Sequence, residues 1–125
     1  MKYGLQDVTI QKICNVLAEF PSVEKAILYG SRAKGNYKNG SDIDLTLCGA
    51  NLTLGILYKV MDGLDDLLLP YTIDMSIFQD ISDPDMIKHI RREGVTFYEK
   101  EYPAVNRTSK LRFKAAPSSG VAPRL

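Results

Sequence analysis

Residues 29–45 decide the fold, and their sequence is YGSRAKGNYKNGSDIDL. The stretch ends an apolar strand, breaks at Gly30-Ser31, crosses a glycine-rich basic segment and enters a second strand that carries Asp42 and Asp44. Because side chains alternate along a strand, these two aspartates point to one face and the apolar residues after them to the other. The pattern therefore predicts two strands joined by a loop, with two carboxylates sharing one small region.

Two carboxylates at this separation favour a metal site. Like charges raise each other's pKa or demand a counter-charge, and a divalent cation is the usual solution. Gly30 lets the backbone approach a ligand closely, and Ser31 offers a hydroxyl and an N–H where a short helix could begin, which favours an anion. A metal on one side and a phosphate on the other predict a bound nucleotide. The alternative for the two aspartates is a solvated strand end after a turn.

The same residues resemble a known signature: an apolar residue, Gly30-Ser31, ten residues, then Asp42-x-Asp44. This pattern is similar to that of the DNA polymerase beta-like nucleotidyltransferase superfamily, and the short chain resembles its minimal nucleotidyltransferase branch. The resemblance covers residues 5–101. A Walker A phosphate loop is excluded, because no Gly-Lys followed by Ser or Thr ends the segment.

The resemblance implies a fold and a metal site. The fold is an α/β domain, a small mixed sheet of three or four strands with packed helices, as in the nucleotidyltransferase core. Asp42 and Asp44 are expected to bind Mg²⁺, with two metal sites in all. A carboxylate in mid-strand is disfavoured by strand propensity, and the superfamily's third acid lies on such a strand. Asp74 is therefore the candidate third acid, as a metal ligand or a base, against the alternative that it only faces solvent.

The resemblance also implies a nucleotide-binding set. Gly30 and Ser31 are expected to hold the β- and γ-phosphates of ATP, Arg32 to neutralise phosphate charge, and Ser41 to complete the set. The alternatives to nucleotide binding are that Ser31 is only a helix cap and that Arg32 is an ordinary surface charge.

Apolar periodicity gives the remaining elements. It predicts helices over residues 9–20, 53–68 and 83–94, and strands over residues 25–29, 42–48, 72–78 and 95–98. Thr9 and Asp83 are the expected N-caps, with Pro84 as the first residue of the last helix and Gly94 as its C-terminal glycine. His89 lies among basic residues of that helix and is expected to be a surface histidine.

Composition limits the domain count and the partners. A chain of 125 residues supports one domain, expected over residues 1–102. Residues 103–125 lack periodicity and are expected to form a flexible basic tail, and a vector-encoded or out-of-frame origin is consistent with them. Five of the 16 Lys and Arg residues fall in this tail, which holds no acid, so residues 1–102 carry a net charge of −4. An acidic body argues against nucleic-acid binding.

The cysteines and the hydropathy pattern predict a location. Cys14 and Cys48 lack metal-type or redox-type spacing, so we expect reduced thiols and a cytoplasmic protein. No signal peptide opens the chain, and no apolar run approaches the ~20 residues that span a bilayer, so no membrane partner is expected.

One domain leaves no room for a separate acceptor-binding domain, so the acceptor is expected on a partner. The resemblance implies that this partner is a small helical HEPN-domain toxin. The chain would be its antitoxin, which transfers AMP from ATP to a hydroxyl of the toxin. Two alternatives stay open: a non-catalytic module that neutralises its partner by contact, and an antibiotic nucleotidyltransferase that acts as an oligomer.

Overall fold

The computed structural model describes residues 1–101, and the tail expected over residues 103–125 lies outside them. The elements in chain order are α1 (Asp7–Ala18), β1 (Lys25–Tyr29), α2 (Ser31–Lys34), β2 (Ile43–Cys48), α3 (Leu54–Asp65), β3 (Ile73–Ile77), α4 (Pro84–Glu93) and β4 (Val95–Glu99). A single 3₁₀ turn, Phe78–Asp80, follows β3. In this part of the chain, none of the helices has the length and apolar character needed to cross a bilayer.

The four strands form one mixed sheet in the order β3-β2-β1-β4. β1 is antiparallel to both of its neighbours, whereas β2 and β3 run parallel. A parallel pair requires a long crossover, and α3 supplies it between β2 and β3. The α/β architecture with a small mixed sheet, predicted from the resemblance, is confirmed.

The core lies on one face of the sheet. Leu28, Leu45 and Leu47 point to that face with no exposed surface, and α1 and α3 add buried residues such as Leu17 and Val60 to the same cluster. Side chains of opposite parity point to the other face, where α4 meets β1. The aspartates of β2 and β3 lie on this second face, which the main core leaves free.

The helix ends are set by local hydrogen bonds and backbone angles, and they differ in part from the ends predicted by apolar periodicity. α1 begins at Asp7, because the N–H groups of Thr9 and Ile10 both donate to the carbonyl of Gln6, so the prediction that Thr9 caps this helix is wrong. α3 ends at Asp65, three residues early, and Leu68 has a left-handed φ of 54°. The predicted cap of α4 is confirmed, since Asp83 Oδ1 accepts from the N–H of Asp85 at 3.0 Å.

Gly94 ends α4 for a steric reason rather than a conformational one. Its φ is −69°, which any residue can adopt, so no left-handed C-cap is present. A Cβ atom at this position would collide with the carbonyl oxygen of Ile90 and with Ile27 Cγ2 on β1. The absent side chain therefore lets α4 pass directly into β4 against the sheet.

We expect Gly94→Ala to lower the free energy of unfolding by about 1–3 kcal/mol, because the added methyl group overpacks a backbone contact. Thermal unfolding would show this as a loss of about 4–8 °C in Tm per kcal/mol. Gly55→Ala in α3 is the control, since its Cβ would have no neighbour nearer than Thr53 Oγ1 at 3.8 Å. An unchanged Tm for Gly94→Ala would contradict the steric explanation.

Candidate active site

The strand registers bring three side chains of the second face into one row. β2–β3 pairing sets Asp44 opposite Asp74, and β1–β2 pairing sets Tyr29 opposite Asp44. Residues opposite each other on neighbouring strands share a face, so a phenol and two carboxylates lie side by side across three strands. We call Tyr29, Asp44 and Asp74 the acidic row. Asp42 lies just before β2, two residues from Asp44, and is exposed.

The pKa of Asp44 is raised by its surroundings. Burial raises this pKa above the ordinary value of 3.8, and the charges of Asp74 and then Asp42 raise it further. Within residues 1–101, no Lys, Arg or His side chain forms an ion pair with any of the three aspartates. No described residue therefore supplies a counter-charge to the ionised form of Asp44 through an ion pair.

The Gly30-Ser31 turn lies directly against Asp44. Gly30 has a left-handed φ of 77°, and a Cβ atom built on it would lie 2.5 Å from Asp44 Oδ2. Only glycine combines this backbone conformation with so close an approach to a carboxylate. Ser31 then begins the single turn of α2. The structure thus brings the predicted phosphate turn and the predicted metal ligands together.

Comparison with known proteins agrees with this geometry. The family model described as "Polymerase beta, Nucleotidyltransferase" matches residues 11–102. The chain belongs to this nucleotidyltransferase family. A search of curated proteins found no match.

Solved structures share the nucleotidyltransferase fold. A chain of a toxin-antitoxin complex with AMP-PNP has a TM-score of 0.60 at 19% identity, over 74% of each chain. A chain of the MntA-HepT toxin-antitoxin complex has a TM-score of 0.57 at 17% identity, over 85% of this chain and 79% of that one. A chain of the complex between a tri-AMPylated Shewanella oneidensis HEPN toxin and an MNT antitoxin has a TM-score of 0.57 at 16% identity, over 86% of this chain and 79% of that one. Similarity at these identities shows the fold.

The aspartates of this nucleotidyltransferase suit a hard cation. Among the residues that the structure describes, no three His, Cys, Asp or Glu side chains converge into a ready-made ion site. The donor chemistry nevertheless fits Mg²⁺, which takes carboxylate oxygens, keeps several waters and needs only one or two protein ligands. Asp42, Asp44 and Asp74 form no ion pair with a described residue, and a cation would relieve the repulsion that Asp44 feels from the other two. Metal binding by these residues stays a prediction.

Arg32 and Ser41 make contacts other than those predicted. Arg32 is only 2% exposed, and its Nε and Nη2 donate to the carbonyl of Ser41 at 3.0 and 2.9 Å, while Nη1 donates to the carbonyl of Tyr3 at 3.0 Å. Ser41 Oγ accepts from the N–H of Lys38 at 2.8 Å, which closes the turn before β2. The predicted contact of Arg32 with phosphate therefore competes with three hydrogen bonds inside the protein.

Two residues beside the acids were not predicted as part of the site. Burial and the charges of Asp74 and Asp44 raise the pKa of Tyr29, although a hydrogen bond with Ser76 opposes them. His89 was expected at the surface, but it is half-buried, with its ring edge-on to that of Tyr29 at 6.5 Å between centroids. Strand alternation could have indicated Tyr29, whereas the position of His89 depends on how α4 packs.

We expect Asp74→Asn to lower the pKa of Asp44 but leave it above 3.8, because burial is the largest cause of the shift and remains. Carbon-13 NMR titration of the carboxyl groups measures this pKa directly. Asp62→Asn on α3, which packs on the opposite face, is the control.

The same raised pKa has a consequence for stability. In metal-free protein, folded Asp44 holds its proton more tightly than the unfolded chain, so its contribution to the free energy of unfolding falls as the pH rises from 3.8 through the raised pKa. In the NMR titration, an Asp44 pKa that is identical in wild type and Asp74→Asn would contradict the electrostatic interaction between Asp44 and Asp74.

Proposed function

We propose that this chain is a Mg²⁺-dependent nucleotidyltransferase that transfers AMP from ATP to a hydroxyl of a partner protein. One observation carries the proposal: Asp44 lies opposite Asp74 across β2 and β3, with the Gly30-Ser31 turn directly against Asp44. Three acids that form no ion pair with any described residue lie near a turn that suits phosphates. A purely structural role gives no reason to keep these acids together, since like charges opposite each other destabilise a sheet.

The proposed reaction is an in-line displacement at the α-phosphorus of ATP. A bond forms between the acceptor oxygen and this phosphorus, and the bond to the β-phosphate oxygen breaks, so that pyrophosphate leaves. Mg²⁺ bound at the site supplies charge stabilisation for the attacking and leaving oxygens, and we propose two such ions. Asp42 and Asp44 are the proposed ligands of this metal.

The other residues of the site have supporting roles in the proposal. Gly30 and Ser31 bind the β- and γ-phosphates through backbone N–H groups and the Ser31 hydroxyl. Asp74 is the most exposed end of the acidic row. We propose that Asp74 accepts the proton of an incoming hydroxyl or completes the second metal site, and its exposure supports either role.

We further propose that the acceptor is a small helical HEPN-domain toxin and that this chain is its antitoxin. Support comes from the fold shared with toxin-antitoxin chains, one of them in a complex whose HEPN toxin is tri-AMPylated. A single domain with an open acidic row suits a protein acceptor that brings its own hydroxyl to the site. Cys14 and Cys48 are both free thiols, which is consistent with action in the cytoplasm.

Alanine substitutions at Gly30 and Gly40 test whether the Gly30-Ser31 turn binds the nucleotide. We expect Gly30→Ala to abolish Mg²⁺-dependent ATP binding in calorimetry, because its methyl group would lie 2.5 Å from Asp44 Oδ2. Gly40→Ala is the matched control: its φ of 84° imposes a similar strain of about 1–2 kcal/mol, but the added Cβ would meet nothing within 4 Å. Loss of binding in both variants, or in neither, would contradict the assigned turn.

Incubation with MgATP and the HEPN protein tests the reaction. We expect a mass gain of about 329 Da per transferred AMP on the partner, measured by intact-protein mass spectrometry. Asp44→Asn should abolish the gain, because it removes a metal ligand while nearly preserving shape, and Asp62→Asn should retain it. If wild type and Asp44→Asn both neutralise an unmodified partner, the chain acts by contact alone and the catalytic proposal is wrong.

A further inference from the structure

Arg32 is a buried cation whose partners are backbone carbonyls and aromatic rings. Its side chain is 2% exposed, and within residues 1–101 it forms no ion pair. The guanidinium carbon instead lies 5.3 Å from the centre of the Tyr37 ring and 4.9 Å from that of Tyr71. Burying a charge is costly unless hydrogen bonds and aromatic faces replace water, and here backbone carbonyls and two rings do so. These hydrogen bonds and ring contacts fix the position of the guanidinium.

The contacts of Arg32 lie at the entrances to both acid-bearing strands. Its Nε and Nη2 both donate to the carbonyl of Ser41, the residue immediately before Asp42. Tyr71, which stacks on the same guanidinium, lies two residues before β3, and the next carbonyl, that of Thr72, accepts from the N–H of Ile43 at 2.9 Å. Since Arg32 itself lies in α2 directly after Ser31, one side chain links the phosphate turn to the peptide that carries Asp42.

The N-terminal turn adds a third point of attachment. Lys2 and Leu5 exchange backbone hydrogen bonds of 3.2 and 2.8 Å, and the two residues between them, Tyr3 and Gly4, have φ values of 58° and 72°. A left-handed conformation costs a residue such as Tyr about 1–2 kcal/mol. The Tyr3 carbonyl accepts from Arg32 Nη1, and a Cβ at Gly4 would lie 2.9 Å from this nitrogen. The strained turn is thus fitted around the guanidinium.

We propose that Arg32 is a positioning residue, which holds Asp42 through the Ser41 carbonyl so that Asp42 and Asp44 can share a Mg²⁺ ion. The inference rests on the proposed function and replaces the predicted contact of Arg32 with phosphate. Weakening the hydrogen bonds between Arg32 and the Ser41 carbonyl should raise the Mg²⁺ concentration that the site requires. The affinity for ATP at saturating Mg²⁺ should not change.

Arg32→Lys is the informative variant. Lysine keeps the positive charge but loses the planar fork that bonds one carbonyl twice and stacks between rings. Lys34→Ala is the control, because Lys34 is an exposed basic residue of the same short helix. Both variants and wild type are compared well below their Tm values. Tyr71→Leu, which removes one stacked ring and leaves the arginine, takes the place of Arg32→Lys if the latter does not fold.

The first measurement is hydrogen–deuterium exchange without nucleotide. In Arg32→Lys we expect the amides of residues 38–43 to exchange about tenfold faster, while those of α3 keep the wild-type rate. Lys34→Ala should match wild type. Unchanged exchange over residues 38–43 would overturn the proposal, because the attachment would then not control the Asp42 peptide.

The second measurement is ATP binding as a function of Mg²⁺ concentration. We expect Arg32→Lys to need about tenfold more Mg²⁺ for half-maximal binding, with an ATP affinity within about twofold of wild type at saturating Mg²⁺. A loss of affinity that saturating Mg²⁺ does not restore would identify a phosphate contact and overturn the proposal. If wild type itself does not bind MgATP, the proposed function fails, and the exchange measurement still decides whether Arg32 holds the Asp42 peptide.

Discussion

The parallel pairing of β2 with β3 is the constraint on which the site depends. It sets Asp44 opposite Asp74, an arrangement that repulsion alone would separate. The core on the other face prevents this. Leu45 and Leu47 of β2 have no exposed surface, and a shift of one residue in register would turn both toward the acidic face. The free energy gained by burying leucines thus holds two carboxylates together.

The acidic face changes character along the strands. Two residues beyond the aspartates, Thr46 and Ser76 are opposite each other, and the Ser76 hydroxyl donates to Thr46 Oγ1 at 2.9 Å. Thr46 is fully buried, whereas Asp74 is exposed. Neutral groups that bond to each other occupy the buried part of the face, and the carboxyl groups occupy the end that water reaches. This order avoids the high cost of burying an unpaired charge.

Sequence alone predicts the frame of this structure and much of its site. Strand positions and the face that carries Asp44 follow from alternation, and the spacing after Gly30-Ser31 indicates the family. The unpredicted contacts involve residues distant in the chain: the carbonyls that hold Arg32 lie 9 and 29 residues away. His89 meets Tyr29 only because α4 packs across β1. Periodicity carries no information about such contacts, so the three hydrogen bonds of Arg32 to backbone carbonyls were not predicted beside its expected contact with phosphate.

The distribution of charge among the described residues supports the proposal of a bound cation. A guanidinium lying against the acids would have supplied their counter-charge from within the protein. Here Arg32 is enclosed by carbonyls and aromatic rings, and the aspartates form no ion pair among the described residues. Burial and the charges of Asp74 and Asp42 raise the pKa of Asp44. Among the described residues, no ion pair offsets the negative charge beside the Gly30-Ser31 turn, and the proposed Mg²⁺ would offset the charge of both the aspartates and the phosphates.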